Sequence, residues 1–209
     1  MRHFLSVASA LALLAGAGQA FASDVALGIK GGTQGAGVEL TKGLTEKLNL
    51  RLDLNGYSFD ADETYDGNDY ELDLDLRMYG LQLDWHPFGG GFRMTAGVYN
   101  NGMELEGNTT GDVTIDGNTQ STTLNAKVDF DSMAPYVGIG WGNAVSQDKR
   151  LGFNVNLGMV FTGSPNVTLS ESGGAFTAQE LREEERRLED EIDDFEYYPV
   201  ANIGLSYRF

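Results

Sequence analysis

Apolar and polar residues alternate along much of this chain, and the alternation continues to its last residue. Ile203, Leu205, Tyr207 and Phe209 are apolar, while the residues between them are small or polar. Period-two alternation is typical of a strand with one buried face. The same pattern predicts strands at residues 25–33, 37–44, 48–59, 69–85, 92–105, 128–141, 151–169 and 197–209. We therefore expect an all-β chain.

The connections between these predicted strands alternate in length. The short ones are residues 43–47, 86–91 and 142–150, and the longer, polar ones are residues 60–68, 106–127 and 170–196. Short turns on one side and long loops on the other are typical of outer-membrane barrels, whose turns are periplasmic. The exception is the first hairpin, whose outer loop near Gln34 and Gly35 is nearly absent.

The first 22 residues are typical of an export signal. Arg2 and His3 precede an apolar run, and Ala20-Phe21-Ala22 offers a small-x-small cleavage pattern. Residues 1–22 are thus predicted to be a signal peptide, and residues 23–209 to form one domain. No later apolar stretch approaches the length of a spanning helix.

Alternation alone also fits a soluble sandwich. The export signal, the terminal aromatic and the alternating connections together predict an eight-stranded antiparallel transmembrane β-barrel in the bacterial outer membrane. Cleavage is expected near Ala22, and both termini are expected on the periplasmic side.

The phase of the apolar residues changes within several predicted strands. Apolar residues are even-numbered up to Leu54 but odd-numbered at Tyr57 and Phe59, with Gly56 between them. The phase of the apolar residues also changes near Gly80 and near Gly102. We interpret these changes as strands that continue beyond the membrane, so that the face shielded from water changes from one side of the strand to the other. A misassigned register is the alternative, since a one-residue slip also exchanges faces.

One stretch, residues 178–196, has helical periodicity. Leu181, Leu188, Ile192 and Phe195 form a thin apolar stripe among Glu, Arg and Asp. The stripe is too narrow for a buried helix. We expect a short acidic helix over the barrel rim in the last outer loop, or else a solvated charged spacer.

The chain is strongly acidic and contains no cysteine. Its net charge is −17, and without Arg2 the remaining 13 basic and 31 acidic residues give −18. Phosphate binding needs clustered Lys and Arg, so nucleic acid is not an expected partner. The acidic residues suit cations, cationic solutes or divalent-bridged lipid, or they simply keep the loops solvated.

Catalytic and metal-binding chemistry is not predicted. His86 is the single histidine after the signal, and it lies in a turn on the periplasmic side of the predicted topology. A Ser–His nucleophile at the outer rim is therefore not expected, and neither is an enzyme. The chain has no Cys or His cluster, and the acidic run from Asp60 to Asp69 fits no calcium-loop template. No catalytic, cofactor or metal residue is assigned.

The predicted interior is polar and contains charges of both signs. Its main members are Arg51, Asp53, Gln82, Asp84, Arg93, Asn154, Asn156 and Asn202, joined by Lys30, Glu39, Thr95 and Arg208. The bore of eight strands is only wide enough for side chains to fill, so these residues are expected to form a plug. A turn centred on residues 88–89 would place Asp84 opposite Arg93 and Gln82 opposite Thr95.

Four segments resemble the CarO-type family of outer-membrane proteins. They begin at Leu83, Ala134, Gly163 and Tyr197 and read Leu-Asp-Trp-His-Pro-Phe-Gly, Ala-Pro-Tyr-Val-Gly-Ile-Gly, Gly-Ser-Pro-Asn-Val and Tyr-Tyr-Pro-Val. The similarity covers about residues 52–209. It implies a compact barrel proposed to aid uptake of small basic amino acids such as ornithine and, in some members, to affect carbapenem entry. No functional residue is carried over.

The last strand also resembles the signal read by the barrel-assembly machinery, with Gly204, Tyr207 and Phe209 as its main residues. Expected partners are therefore that machinery, periplasmic chaperones, and outer-membrane lipid and lipopolysaccharide.

Two functions remain open at this point, and the family resemblance and the acidic loops favour the first of them. One is a narrow porin-like protein that passes small, cationic solutes, which fixed acidic groups would concentrate. The other is a structural or surface-interaction barrel with a plugged interior and no transport.

Overall fold

A computed structural model describes residues 24–65, 68–115, 117–146, 150–192 and 196–209, and the predicted signal peptide lies outside these ranges. The strands are β1 (Val25–Gly32), β2 (Gly35–Thr45), β3 (Leu48–Tyr65), β4 (Asn68–Trp85), β5 (Phe92–Ile115), β6 (Asn118–Asp129), β7 (Met133–Trp141), β8 (Leu151–Phe161), β9 (Asn166–Ser172) and β10 (Tyr197–Arg208). Helix α1 (Ala178–Glu191) lies between β9 and β10. None of the helical structure in these ranges has the length and apolar character needed to cross a bilayer.

Eight of the strands close into a ring. Its order is β1-β2-β3-β4-β5-β7-β8-β10, and β10 pairs back onto β1 from Ala26↔Arg208 to Gly32↔Asn202. Every pairing in the ring is antiparallel. The predicted eight-stranded antiparallel barrel is confirmed.

The remaining two strands extend the barrel on its loop side. The lower part of β5 pairs with β7, and its upper part pairs with β6 from Glu104↔Asp129 to Ile115↔Asn118. β9 then pairs with β6. We call this extension the outer wall: residues 57–65 of β3, 68–77 of β4, 101–115 of β5, and all of β6 and β9.

Four predicted boundaries were wrong in this region. Residues 60–65, expected to belong to a loop, continue β3. Within residues 106–127, expected to be a loop, residues 106–115 form the upper part of β5 and residues 118–127 form most of β6. The expected single strands 128–141 and 151–169 are each interrupted, at residues 130–132 and 162–165. The strands taken for loops lack the apolar alternation that marks a strand in lipid, because the wall is solvated on its outer face. The two interruptions lie where the chain passes between a strand of the wall and a strand of the ring.

The change of apolar phase reflects a change of environment and not a slip of register. β3 and β4 pair without interruption from Leu48↔Trp85 to Tyr65↔Asn68. Met78 and Leu76 therefore keep the inward orientation of Gln82, and both are buried. Tyr79, on the opposite face, is half exposed in the lipid-facing belt. The alternative of a misassigned register is therefore wrong, and the interpretation that these strands continue beyond the membrane stays a prediction.

The outer surface of the ring is apolar. Large exposed side chains on it include Ile29, Leu40, Leu52, Leu54, Tyr79, Leu81, Leu83, Met94, Val137, Ile139, Phe153, Leu157, Ile203 and Leu205. Exposed Trp85 and Trp141 end β4 and β7 on the turn side, and Phe88 lies in the turn itself. Amphipathic rings at this level favour the membrane interface.

The short acidic helix predicted for the last outer loop is confirmed as α1, and it lies beside β9. Thr177 and Glu180 form a capping box at its N-terminus. Glu185 Oε1 accepts from the Leu169 N–H at 2.8 Å, and Glu189 Oε1 accepts from the Val167 N–H at 2.9 Å. The helix thereby covers the edge of β9 that no strand pairs with in the described residues, and this edge would otherwise present unpaired backbone donors. Phe195 of the predicted stripe lies outside the described residues.

Candidate functional site in the barrel interior

The interior of the ring on the turn side is filled by polar side chains, which we call the polar layer. The eight residues predicted for it are all buried there: Arg51, Asp53, Gln82, Asp84, Arg93, Asn154, Asn156 and Asn202. Lys30 and Glu39 are buried with them. Seven of the eight ring strands contribute to this set, because each presents every second residue inward.

Asp53 is one centre of the polar layer. Its Oδ2 atom lies 2.7 Å from Lys30 Nζ and 2.7 Å from Gln82 Nε2. The hydroxyl of Tyr99 donates to the same oxygen at 2.9 Å. One carboxylate thus joins strands β1, β3, β4 and β5 across the lumen.

Arg51 and Asp84 form a second centre. Arg51 Nη2 lies 3.0 Å from Asp84 Oδ1, and Arg51 Nη1 lies 3.4 Å from Glu39 Oε2. Thr95 Oγ1 donates to Asp84 Oδ1 at 2.6 Å, and Arg93 Nε lies 3.6 Å from the same oxygen. Charges of both signs are therefore paired inside the barrel, as burial requires.

The predicted register of the β4–β5 hairpin was wrong by two residues. Asp84 lies opposite Thr95 and Gln82 opposite Gly97, because the turn is centred on Gly89 and Gly90. Gly89 has a φ of +67°, a conformation that glycine adopts without strain. Arg93 still reaches Asp84, but from a position opposite Gly140 of β7.

Asparagine side chains connect the second centre to the far wall of the barrel. Asn154 Nδ2 donates to Glu39 Oε1 at 3.0 Å, and Asn156 Nδ2 donates to Asn154 Oδ1 at 3.3 Å. Asn156 Oδ1 accepts from Arg51 Nη1 at 3.3 Å and also from Arg93 Nη2. Both of its amide ends are thus engaged.

His86 closes the turn-side end of the polar layer. Its Nδ1 atom lies 2.9 Å from the Gly90 carbonyl oxygen, and its Nε2 atom lies 3.1 Å from Asn49 Nδ2. A neutral ring that donates from Nδ1 and accepts at Nε2 satisfies both contacts. Asn49 also donates to Asn143 Oδ1 at 3.2 Å. The role of His86 here is to link the turn to β3.

A second layer of the interior, nearer the loop side, is apolar. We call it the apolar layer; its buried members are Leu76, Met78, Tyr99, Ala134, Tyr136, Val160 and Val200. Met78 and Val160 have no exposed surface, and the rings of Tyr99 and Tyr136 meet edge to face at 5.6 Å. A Cβ atom on Gly80 would lie 2.5 Å from the Tyr99 ring, so glycine is what lets this ring cross the lumen.

Little space remains among the side chains of the polar layer. The gap enclosed by polar-layer residues such as Arg51, Asp84 and Arg93 has a volume of about 10 Å³. This is close to the minimum for one water molecule. Among the described residues, the polar layer therefore leaves no opening of the size of an amino acid in this conformation.

Gln34 and Tyr99 were missed as interior residues. Gln34 Oε1 accepts from Asn202 Nδ2 at 2.9 Å, and its amide nitrogen contacts Met78 Sδ at 3.3 Å. It follows the last residue of β1, beyond the alternation that would have revealed it. For Tyr99, the available signal was Gly80, which lies directly opposite it.

The outward face of the wall is acidic, and its cations are already paired. Lys127 Nζ lies 2.7 Å from Glu104 and 3.5 Å from Glu106, and Arg77 pairs with Asp75. Within the described ranges, no group of three or more His, Cys, Asp or Glu side chains is arranged to hold a metal ion.

A closed barrel with an apolar belt, interfacial aromatic residues and a polar interior defines a small transmembrane β-barrel of the outer-membrane type. The chain is similar to the crystal structure of Acinetobacter baumannii CarO2, with a TM-score of 0.60 and 22% identity over 90% of this chain and 99% of that one. It is also similar to Acinetobacter baumannii CarO, with a TM-score of 0.59 and 21% identity over 89% and 98% of the two chains.

These likenesses show the fold: the chain has the CarO-type fold, as its sequence motifs predicted. No protein-family profile matches the chain, and no curated protein matches it.

Proposed function

We propose that this chain is an outer-membrane barrel with a closed lumen, which acts through its outer wall at the cell surface and does not conduct solutes. The observation that carries the proposal is the filled interior. Of the two functions considered from the sequence, it supports the structural or surface-interaction barrel over the porin-like protein.

The polar layer is the first barrier to a solute. Its ion pairs join strands that are adjacent or one strand apart, and the hydrogen bond from Arg51 to Asn156 crosses from β3 to β8 on the opposite side of the barrel. The Lys30–Asp53 distance of 2.7 Å leaves no room for a water between the charges. A cation would have to displace Lys30 or Arg51 from their carboxylates. Leaving those charges buried without partners is costly, about 3–5 kcal/mol per broken pair.

The apolar layer is a second barrier in series. A hydrated cation that entered from the loop side would meet Met78, Val160 and Val200 before it reached Asp53, and these side chains offer no ligand to replace its water. Hydrophobic constrictions of this kind exclude ions by dewetting. A movement that opened only one layer would leave the other closed.

One observation favours the porin-like alternative. The wall carries unpaired carboxylates, and fixed negative charge raises the local concentration of cations such as basic amino acids. This effect brings cations to the barrel but opens no path through it, so we place permeation second.

Liposome swelling tests the choice directly. Proteoliposomes are compared with protein-free vesicles in ornithine, glycine and a neutral sugar, with vesicles containing an open porin as the positive control. We expect negligible and equal rates for all three solutes. Faster entry of ornithine than of the sugar, reduced by the double variant Asp60→Asn/Asp62→Asn, would contradict the proposal and support permeation.

The remaining partners are part of the same proposal. We expect contact with outer-membrane lipid and lipopolysaccharide along the apolar belt, and with the barrel-assembly machinery and periplasmic chaperones during biogenesis. We also propose that the chain is not an enzyme, since both ring nitrogens of His86 contact Asn49 and Gly90 on the turn side. Lipid A isolated from cells with and without the protein should have the same acylation by mass spectrometry.

A further inference from the structure

The outer wall has two edges, one that a helix covers and one that is uncovered in the described residues. The β9 edge is occupied by α1, whose residues Glu185 and Glu189 accept from its backbone N–H groups. The other edge belongs to β3. Pairing of β3 with β2 ends at Ala36↔Gly56, whereas β3 itself continues to Tyr65. We call residues 57–62 of β3 the open edge.

The open edge exists because the first hairpin is short. β1 ends at Gly32 and β2 begins at Gly35, which has a φ of +80°. A Cβ atom on Gly35 would lie 2.3 Å from the Gly56 carbonyl oxygen, so the turn packs against β3 at this level. Above it, in the part of the chain that the structure describes, β4 is the only strand paired with β3. Every second N–H and C=O of residues 57–62 therefore faces away from any partner strand.

The two faces of the open edge differ in chemistry. Tyr57 lies opposite Leu76 on the inward face, and Phe59 lies opposite Leu74. Both aromatic side chains are about half exposed, at 49% and 48%. Asp60 and Asp62 lie on the outward face. Two exposed aromatic rings beside unpaired backbone groups are typical of a surface that binds another strand.

On the outward face, negative charge continues from the open edge across the neighbouring strands. Asp60 lies opposite Asp73, which lies opposite Glu106, and Asp62 lies opposite Glu71. Like charges directly opposite each other in a sheet are destabilising. Among the ion pairs of the described residues, Lys127 and Arg77 serve Glu104, Glu106 and Asp75, and none involves Asp60, Asp62, Asp73 or Glu71.

We propose that the open edge binds an extended, basic segment of another protein as an additional strand. Backbone hydrogen bonds would supply the pairing, as in other cases of strand addition. Side chains of the added strand opposite Tyr57 and Phe59 would be apolar, and those opposite Asp60 and Asp62 would be Lys or Arg. The partner is thus a segment in which apolar and basic residues alternate.

Charge also argues against a second copy of this chain as the occupant. Edge-to-edge pairing of two β3 strands would bring the Asp60 and Asp62 side chains of both copies onto one face. Carboxylates on the exposed edge oppose such self-association. The inference relies on the proposed function only for placing the wall outside the cell.

The test uses the folded barrel in nanodiscs of zwitterionic lipid and a short synthetic peptide in which Leu and Lys alternate. Binding is followed by fluorescence anisotropy, and hydrogen exchange of the amides of residues 57–62 reports where the peptide lies. We expect saturable binding with slower exchange at this edge. The same peptide N-methylated at every residue keeps its charge but cannot pair, and it should not bind.

Variants then separate the effect of charge at the open edge from the effect of charge elsewhere on the protein. Asp60→Asn/Asp62→Asn should weaken binding by about two- to thirtyfold, the range for two exposed ion pairs. Glu183→Gln/Asp190→Asn on α1 makes the same change of charge away from the edge and should leave binding unchanged. Phe59→Ser should weaken binding without changing its salt dependence.

Several outcomes would overturn the inference. They are the absence of saturable binding, equal binding of the N-methylated peptide, equal effects of the two double variants, or protection of residues 57–62 without peptide through dimer formation. The swelling assay is independent of these results. Conduction would contradict the closed lumen without affecting the open edge, and failure of peptide binding would leave the closed lumen intact.

Discussion

At the scale of single residues, burial determines the protonation of His86. Burial lowers the pKa of His86 below its ordinary value; the hydrogen bond to the Gly90 carbonyl opposes this, and the charge of Arg93 adds to it. The neutral ring is therefore favoured in the folded chain, whereas the unfolded chain takes up a proton near pH 6.5. The stabilisation that follows from this difference is present above about pH 6.5 and declines as the pH falls below it.

NMR titration checks this prediction, because residues 23–209 contain no other histidine. We expect the imidazole signal of the folded barrel in detergent micelles to titrate below pH 6.5. The variant His86→Gln should lack the signal and should lose less stability between pH 7 and pH 5 than the parent. A titration midpoint at or above that of a histidine peptide would contradict the prediction.

Asp53 is the residue whose loss should be most damaging inside the barrel. Asp53→Ala would leave the Lys30 ammonium buried without its carboxylate and would free the Gln82 amide as well. We expect a loss of about 3–5 kcal/mol in the free energy of unfolding, the range for one broken buried pair. Urea unfolding followed by tryptophan fluorescence measures it.

Two further variants control the Asp53 experiment. Asp62→Ala removes an exposed carboxylate and should change stability by no more than about 0.5 kcal/mol. Lys30→Met/Asp53→Leu removes both charges and should recover most of the loss, since an apolar pair of similar volume is often as stable as a buried ion pair. A small effect of Asp53→Ala alone would show that the pair is not needed for stability.

At the scale of elements, α1 acts as a substitute strand for β9. The variant Glu185→Ala/Glu189→Ala removes the acceptors for the Val167 and Leu169 N–H groups. We expect these two amides to exchange about two- to tenfold faster, the value of one ordinary hydrogen bond each. Hydrogen exchange measured by NMR resolves them individually.

Two control variants go with this experiment. The first keeps the hydrogen-bond acceptors, and the second removes charge elsewhere on the helix. Glu185→Gln/Glu189→Gln retains acceptor oxygens, and Glu183→Ala/Asp190→Ala removes two exposed carboxylates. Both should leave exchange at Val167 and Leu169 near that of the parent. Equal acceleration in all three variants would mean that helix charge, and not edge capping, protects β9.

The sequence predicted elements well where one face of a strand meets lipid. Leu81 and Leu83 alternate with Gln82 and Asp84 because the belt demands apolar residues and the lumen accepts polar ones. The upper half of β5 carries no such contrast, since water surrounds the wall on its outer face. Its pairing with β6 joins Thr110 to Thr123 and Thr114 to Thr119, residues that a loop would also contain.

The composition of the interior was also predictable, whereas its connections were not. Alternation places Asp84 and Arg93 in the lumen without fixing which residue faces which, because that depends on the turn. The centre of the turn lies one residue further along the chain than expected, so each residue of β4 faces a residue of β5 two positions beyond the expected one. The stacking of a polar layer below an apolar one depends on the level of each residue along the axis, which a strand pattern does not contain.

At the scale of the whole molecule, the barrel is closed by its first and last strands. The seam joins β1 to β10, and a Cβ atom on Gly204 would lie 2.8 Å from the Ile29 carbonyl oxygen. Glycine at this position therefore permits the close approach of the two strands. The Phe209 N–H donates to the Val25 carbonyl oxygen at 3.1 Å, and its ring meets that of Tyr207 at 5.5 Å.

Phe209 has two separable roles, one in the seam and one in the predicted assembly signal. Deleting it removes one backbone hydrogen bond of the seam and the aromatic ring that the assembly machinery is expected to read. Arg208→Lys keeps a cation near Asp24, whose Oδ1 atom lies 4.0 Å from Arg208 Nη1. We expect the deletion to reduce heat-modifiable barrel in outer-membrane fractions much more than Arg208→Lys does.

Refolding from urea into detergent, without the assembly machinery, separates the two roles. A single backbone hydrogen bond contributes about 0.5–1.5 kcal/mol, so the deletion variant should still refold to a heat-modifiable barrel. If it does, its failure in cells arises from recognition of the chain and not from stability. Normal assembly of the deletion variant in cells would contradict the assignment of Phe209 to the signal, whatever the refolding result.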